Sequence, residues 1–255
     1  MQHRKRFFRF VTYQYALAVA VAILCVILAG QISVSSLGQT KSSLRVLIMG
    51  GGTSHDFAQN YQQIDSKVLG SAGDSVRYVD DWAQLAEGLK NTKVLIQASN
   101  QILPPEPAVR DAIMNFAHEG GGLLVVHAGL WYNWPTWPEY NRVLVGGGSR
   151  SHDKLGDFEV IVTHPEHPIM QGVPAKFLVH DELYHQEFDP SGSPVEVLAT
   201  ATSPLTGKTY PSVWVVNSGH GCIVCIAAGH GDKTHNDPTY MRLLTNAANW
   251  AAQSQ

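Results

Sequence analysis

The sequence predicts an α/β fold: a mostly parallel sheet with helices on both faces, behind an N-terminal hydrophobic helix. Three observations predict it. From residue 44 onward, short β-branched apolar runs alternate with stretches of helical spacing, the pattern of a parallel sheet with crossover helices. Several of these runs end in glycine or histidine, and near its start, after a short basic stretch, the chain carries a long uncharged apolar segment.

In chain order, "LRVLIMG" (44–50) reads as a buried strand. "FAQNYQQIDSKVLG" (57–70) has helical spacing through Phe57, Tyr61, Ile64 and Val68. "SVRYV" (75–79) is a short strand, after which Asp80 or Asp81 caps a short helix through Leu89. "KVLIQ" (93–97) is the third strand. "EPAVRDAIMNFAHEGGG" carries Val109, Ile113 and Phe116 on one face and stops at three glycines, so it is a helix. "GLLVVH" (122–127) is a fourth strand, apolar enough for burial on both faces. A short helix follows from about Pro138 to Val145, then strands over 157–162, 195–201, 212–217 and 222–228. The closing helix spans 237–251, with Asp237 as N-cap and Pro238 in the first turn.

Residues 1–30 carry Arg4, Lys5, Arg6 and Arg9 and no acid, and no charge falls between Arg9 and Lys41. A basic start followed by the apolar run Ala16–Gly30 predicts a signal peptide or a membrane anchor. Residues 31–43 are a small, polar linker and 44–252 form one domain. The domain is therefore expected outside the cytoplasm, periplasmic, extracellular or membrane-anchored. The membrane would be a partner through the N-terminal segment if it stays uncleaved. Without those four cations the chain holds 14 Lys+Arg against 21 Asp+Glu, and it has no basic run. That excludes nucleic acid as an electrostatic partner. Cys222 and Cys225 sit three apart on an apolar strand and face opposite ways, which predicts core thiols and not a redox pair.

Ligands of open α/β sheets sit beyond the carboxyl ends of the strands, and those segments are polar here. His55 and Asp56 follow the turn Gly50–Gly51–Gly52, although Asp56 could simply cap the next helix. His127 ends the fourth strand. Trp131 leads an aromatic loop able to stack on a sugar ring or to pack inward. His152 follows "GGGSRS", and His230 lies between two glycines, which allow close backbone approach. "HDELYH" (180–185) adds Asp181, Glu182 and His185. Whether helical or extended, it lets Asp181 and His185 project together, the carboxylate orienting the imidazole. His164 and His167 read as structural or solvated, and His220 as a hairpin tip. His235 could serve the site or the last helix.

The ordered set "GGGTSHDF", "GGGLLVVHAG", "WPEYNRVLVGGGSRSH", "THPEHPIMQGVP", "DELYH", "PSVWVVNSGHGCIVCIAAGH" and "DPTYMRLLTNAANWA" resembles the ThuA-like (trehalose utilisation) family over about residues 44–252. The resemblance implies a flavodoxin-like core of the class I glutamine amidotransferase kind. Those enzymes place a nucleophilic cysteine in a turn after a central strand. Here "VVHAG" offers His127 instead, so glutaminase chemistry lacks its nucleophile. The resemblance also implies carbohydrate substrates, trehalose-type disaccharides or their keto-oxidised forms.

The functional expectation is an exported carbohydrate-active enzyme using general acid–base chemistry. His127, Asp181, Glu182 and His185 are the catalytic candidates, and His55, Asp56, Trp131, His152 and His230 the substrate-binding ones. Two alternatives stand beside it. Three or more of His127, His152, His185, His230 and Asp181 could coordinate a divalent metal such as zinc in a metal-dependent hydrolase. The aromatic loop could instead serve a non-catalytic sugar-binding module.

Overall fold

The computed structural model describes residues 43–253 except residue 220. The predicted N-terminal helix, nearly all of the linker and the His220 hairpin tip therefore lie outside the described residues. Among the described residues, no helix is long and apolar enough to cross a membrane.

The parallel half of the main sheet is built from β1 (Arg45–Met49), β2 (Ser75–Val79), β3 (Val94–Gln97) and β4 (Gly122–Val126), with β11 (Cys222–Ile226) beside β4. Every residue of β3, β4 and β11 is buried, as strands covered on both faces require. Four strands extend the sheet in antiparallel fashion: β10 (Thr209–Asn217), β9 (Val195–Thr202), β6 (Gly156–Val162) and β7 (Lys176–Asp181). The order is β2-β1-β3-β4-β11-β10-β9-β6-β7. A separate antiparallel pair joins β5 (Gly147–His152) to β8 (Tyr184–Phe188).

Period-2 alternation divides the core into two layers. Ile48, Leu124 and Val224 face one way, beneath α1, which starts with π geometry (Ala58–Asp65) and continues as α-helix (Ser66–Ser71), and beneath α5 (Pro238–Ala251). Leu47, Leu95 and Val125 face the other way, packed on α2 (Trp82–Leu89) and α3 (Pro107–His118). Asp81 caps α2 by accepting from the Ala83 and Gln84 amides, and Asp237 caps α5 by accepting from Thr239 and Tyr240. A short helix, α4 (Asp232–His235), lies between β11 and α5. Cys222 and Cys225 fall in opposite layers, both as free thiols.

Strands β5, β7 and β8 were not expected from sequence. β5 begins with two glycines, which sheets disfavour. β7 and β8 meet at the "HDELYH" segment, so charged and aromatic side chains obscure the alternation there.

Candidate active site

The site forms where β1, β3, β4 and β11 end, as expected of an open parallel sheet. After β4 the chain turns at His127, which has φ 42°, the sole positive-φ residue other than glycine among the described residues. This turn is where an elbow nucleophile would stand, and it carries an imidazole. His127 is fully buried. Its Nδ1 lies 2.7 Å from the Ala227 carbonyl oxygen, which can only accept, so the proton is on Nδ1 and the Nε2 lone pair faces the site.

Gathered around that lone pair are His55, Glu182 and His230. His55 Nε2 is 3.0 Å from His127 Nε2. Glu182 Oε2 lies 3.8 Å from His127 Nε2 and 3.1 Å from His230 Nδ1. Four ligand-type atoms, one each from His55, His127, Glu182 and His230, fall within 4.8 Å of one another.

Behind them, a buried carboxylate ties the loops together. Asp181 Oδ2 accepts from the Gly229 and His230 amides and from the Thr234 hydroxyl, and Oδ1 accepts from the Glu182 amide. Asp181 Oδ1 also lies 3.6 Å from His127 Nδ1. With its lone pairs spent on these donors, Asp181 fixes the backbone from which Glu182 and His230 project. A second buried pair braces the same loop. His235 Nδ1 donates to Asp65 Oδ1 at 2.7 Å and Nε2 donates to the Gly229 carbonyl at 3.0 Å. His235 thus belongs to the scaffold.

The electrostatics follow from these contacts. Burial, then the neighbouring His127 and His230, push His55 down to about 3. Burial also lowers His127, against the opposing pull of Asp181. Both rings are therefore neutral and able to offer a lone pair. The Glu182 carboxylate raises His230, and burial of Glu182 is outweighed by His230, His152 and His127, which hold its carboxyl below the usual range. Glu182 is accordingly the anionic centre of the cluster.

Above this floor opens a cleft of about 260 Å³, lined by Ser54, His55, Asn100, Trp131, His152, Glu182, Tyr184 and His230. The Trp131 ring meets His152 at 5.7 Å and Tyr184 at 5.5 Å, edge to face. His152 Nδ1 donates to the Asp153 carbonyl at 2.8 Å, which leaves Nε2 as its second ring nitrogen for the cleft. Its Nδ1 is also 3.5 Å from Glu182 Oε1.

Of the residues singled out from sequence, the structure brings His55, His127, Trp131, His152, Glu182 and His230 to one mouth, with Asp181 directly beneath. Two stand apart. Asp56 Oδ1 accepts from the Gln59 amide at the start of α1, so it acts as a helix cap. His185 does not pair with Asp181: the chain leaves the main sheet after β7 and enters the β5–β8 pair, carrying His185 to Asp153 Oδ1 at 2.8 Å and onto the Tyr210 ring. In the aromatic loop only Trp131 lines the cleft, whereas Trp134 and Trp137 are buried in the core. His167 caps a turn by accepting from the Ile169 amide, and His164 contacts the Thr163 hydroxyl.

Sequence reasoning missed Ser54, Asn100 and Tyr184. Asn100 follows β3, so the strand-end rule alone could have found it. It donates to Ser54 Oγ at 2.6 Å, and Ser54 Oγ lies 2.6 Å from His55 Nδ1. Gly52, at φ 138°, makes room for this chain: a Cβ there would stand 2.1 Å from Asn100 Oδ1.

Solved structures share this architecture. A ThuA-like protein from Bacteroides uniformis is 26% identical with TM-score 0.68, over 82% of this chain and 91% of that one. Another from Parabacteroides merdae is 21% identical with TM-score 0.73, over 83% and 90%. A β-galactosidase from Halorubrum lacusprofundi shares the fold over 30% of its length, at 14% identity and TM-score 0.55. No match was found among curated proteins. The family model described as "ThuA: Trehalose utilisation" matches residues 45–251, and the chain belongs to that family.

Proposed function

We propose that the protein is an exported carbohydrate-processing enzyme that moves protons on a disaccharide or keto-oxidised sugar bound under Trp131. One observation carries this reading: three imidazoles and a carboxylate converge at the floor of a cleft walled by an indole and a fourth imidazole. The indole plane suits the C–H face of a pyranose. His152 is the general base, because its Nδ1–H is committed to a backbone carbonyl and its Nε2 is left for the cleft. It takes a proton from a hydroxyl, leaving an alkoxide, or from a carbon beside a keto group, the electron pair moving onto the keto oxygen as an enolate. This moves the base from His127 and His185 to His152. His127 is enclosed and its Nε2 is occupied by the cluster, and His185 is directed to Asp153. The family's description supplies the substrate class, and the basic-then-apolar start of the chain supports export.

The test is turnover by the full-length protein of trehalose-type disaccharides and their keto-oxidised forms. His152→Asn should lower kcat by about 10²–10⁴-fold with little change in KM, the usual worth of a general base. Trp131→Ala should act mainly on KM. Unchanged turnover in His152→Asn overturns the assignment of the base. Sugar binding with no product from any sugar overturns the enzymatic reading in favour of a binding module.

A further inference from the structure

We infer that His55, His127, Glu182 and His230 hold one divalent transition-metal cation, zinc or a first-row neighbour, at the floor of the cleft. The inference deepens the enzymatic reading and uses a binding test separate from it.

Donor spacing is the first argument. Ligands about 2.0–2.1 Å from a tetrahedral cation stand about 3.3 Å from one another. Three of the separations here are 3.0 Å between the His55 and His127 Nε2 atoms, 3.1 Å between His230 Nδ1 and Glu182 Oε2, and 3.8 Å between His127 Nε2 and Glu182 Oε2, and all four donors lie within 4.8 Å of one another. Hydrogen bonding satisfies only part of this set, through the His55–His127 ring contact. His230 Nδ1 is buried and, despite its closeness to Glu182, has no aligned hydrogen-bond partner. His127 has its proton on Nδ1, so its Nε2 can contribute only a lone pair to the site.

The surroundings are those of metal ligands. A ligating histidine ordinarily donates its second nitrogen to a carbonyl, carboxylate or hydroxyl, which fixes the tautomer and aims the lone pair. His127 does so to Ala227, and the Ser54 hydroxyl, held by Asn100, is placed to receive His55 Nδ1. Asp181, anchored by backbone amides and Thr234, holds the segments bearing Glu182 and His230. Three imidazoles and one carboxylate favour zinc and its first-row neighbours over magnesium or calcium, whose ligand shells are oxygen-rich. The set differs from the sequence expectation: His55 and Glu182 enter, His185 and Asp181 are committed elsewhere, and His152 lines the cleft outside the set.

The cation would polarise a sugar oxygen approaching from the cleft side, next to the His152 base. Such a carbonyl or hydroxyl oxygen would add to the four protein donors, an expansion that catalytic sites allow.

The full-length protein, stripped with a chelator and dialysed, is titrated with zinc by calorimetry and with cobalt while its visible spectrum is recorded. One equivalent per chain is expected, with ligand-field bands appearing on cobalt addition. His55→Ala and Glu182→Gln, each checked for native circular dichroism, should weaken zinc binding about tenfold or more, and His185→Asn should leave it unchanged. Absence of saturable binding by the wild-type chain overturns the inference, as does equal affinity in both ligand variants. If zinc does not bind while His152→Asn still loses turnover, the metal falls and the enzymatic reading stands.

Discussion

Asp65→Asn isolates the buried pair that braces the floor of the site. Asp65 and His235 are both wholly buried. In the wild-type chain both ring nitrogens of His235 face acceptors, Asp65 Oδ1 at 2.7 Å and the Gly229 carbonyl at 3.0 Å, so the ring is an imidazolium. Burial alone would lower the His235 pKa, but the charge and hydrogen bond of Asp65 outweigh it and raise it above 6.5. Replacing the carboxylate with an amide removes a charge-assisted hydrogen bond, worth about 1.5–3 kcal/mol. Burial then wins and the ring becomes neutral, its Nε2–H keeping the Gly229 carbonyl while the new amide donates to Nδ1. The cost is the lost charge assistance alone, below the ~3–5 kcal/mol seen when one partner of a buried ion pair is deleted. For a domain of this size that corresponds to a fall of about 5 °C in Tm.

The sign of the pH dependence follows. In the wild-type chain the folded pKa of His235 is raised, so its contribution is full below the unfolded value near 6.5 and is lost as pH climbs through the folded pKa. In the variant, burial depresses the folded pKa, and stability instead recovers as pH rises through about 6.5. Both trends narrow the gap in the same direction. Urea melts followed by tryptophan fluorescence should show the full deficit at pH 5.5 and a smaller one at pH 9. A deficit below about 1 kcal/mol at pH 5.5, or one that widens toward pH 9, would refute the reasoning.

Two further outcomes follow from local geometry. Gly229 has φ 144°, and a methyl group there would lie 3.0 Å from His127 Cβ and 3.1 Å from Tyr61 Oη. Gly229→Ala should therefore cost about 1–3 kcal/mol and shift the His127 ring, which proton chemical shifts of that imidazole would report; native stability and shifts would disprove the constraint. Cys222 and Cys225 point into opposite core layers as free thiols. Both should be alkylated after unfolding without reductant, as read by peptide mass spectrometry, and finding them disulfide-linked would contradict the strand register.

Legibility from sequence tracked burial. β1, β3, β4 and β11 could be read because burial on both faces demands uninterrupted apolar runs, and those runs end at His127 and before His230. The antiparallel extension was read only in part: β7 exposes Lys176 and Leu178 and ends in the charged residues of the site itself. Asp181 and Glu182 stood out as a charged pair, but their division of labour did not. It depends on Gly229, His230 and Thr234, about fifty positions away. His185 misleads because closeness along the chain is not closeness in space: the segment changes sheets between Asp181 and Tyr184. Asp56 misleads because a carboxylate beside a strand end serves equally well as a cap.

The left-handed turn at His127 connects these observations. A histidine at φ 42° is strained relative to glycine, and such strain persists only where the surroundings fix it. Here the ring is held by the Ala227 carbonyl, crossed by the Tyr184 ring at 4.4 Å, and backed by a glycine that leaves no room for a side chain. In an acyl-transfer enzyme that turn would aim a nucleophile outward at substrate. Here it aims a neutral imidazole sideways at His55, Glu182 and His230, none of which is a nucleophilic thiol or hydroxyl. The same backbone device therefore organises a cluster of lone pairs in place of an elbow nucleophile, beneath the cleft that His152 lines.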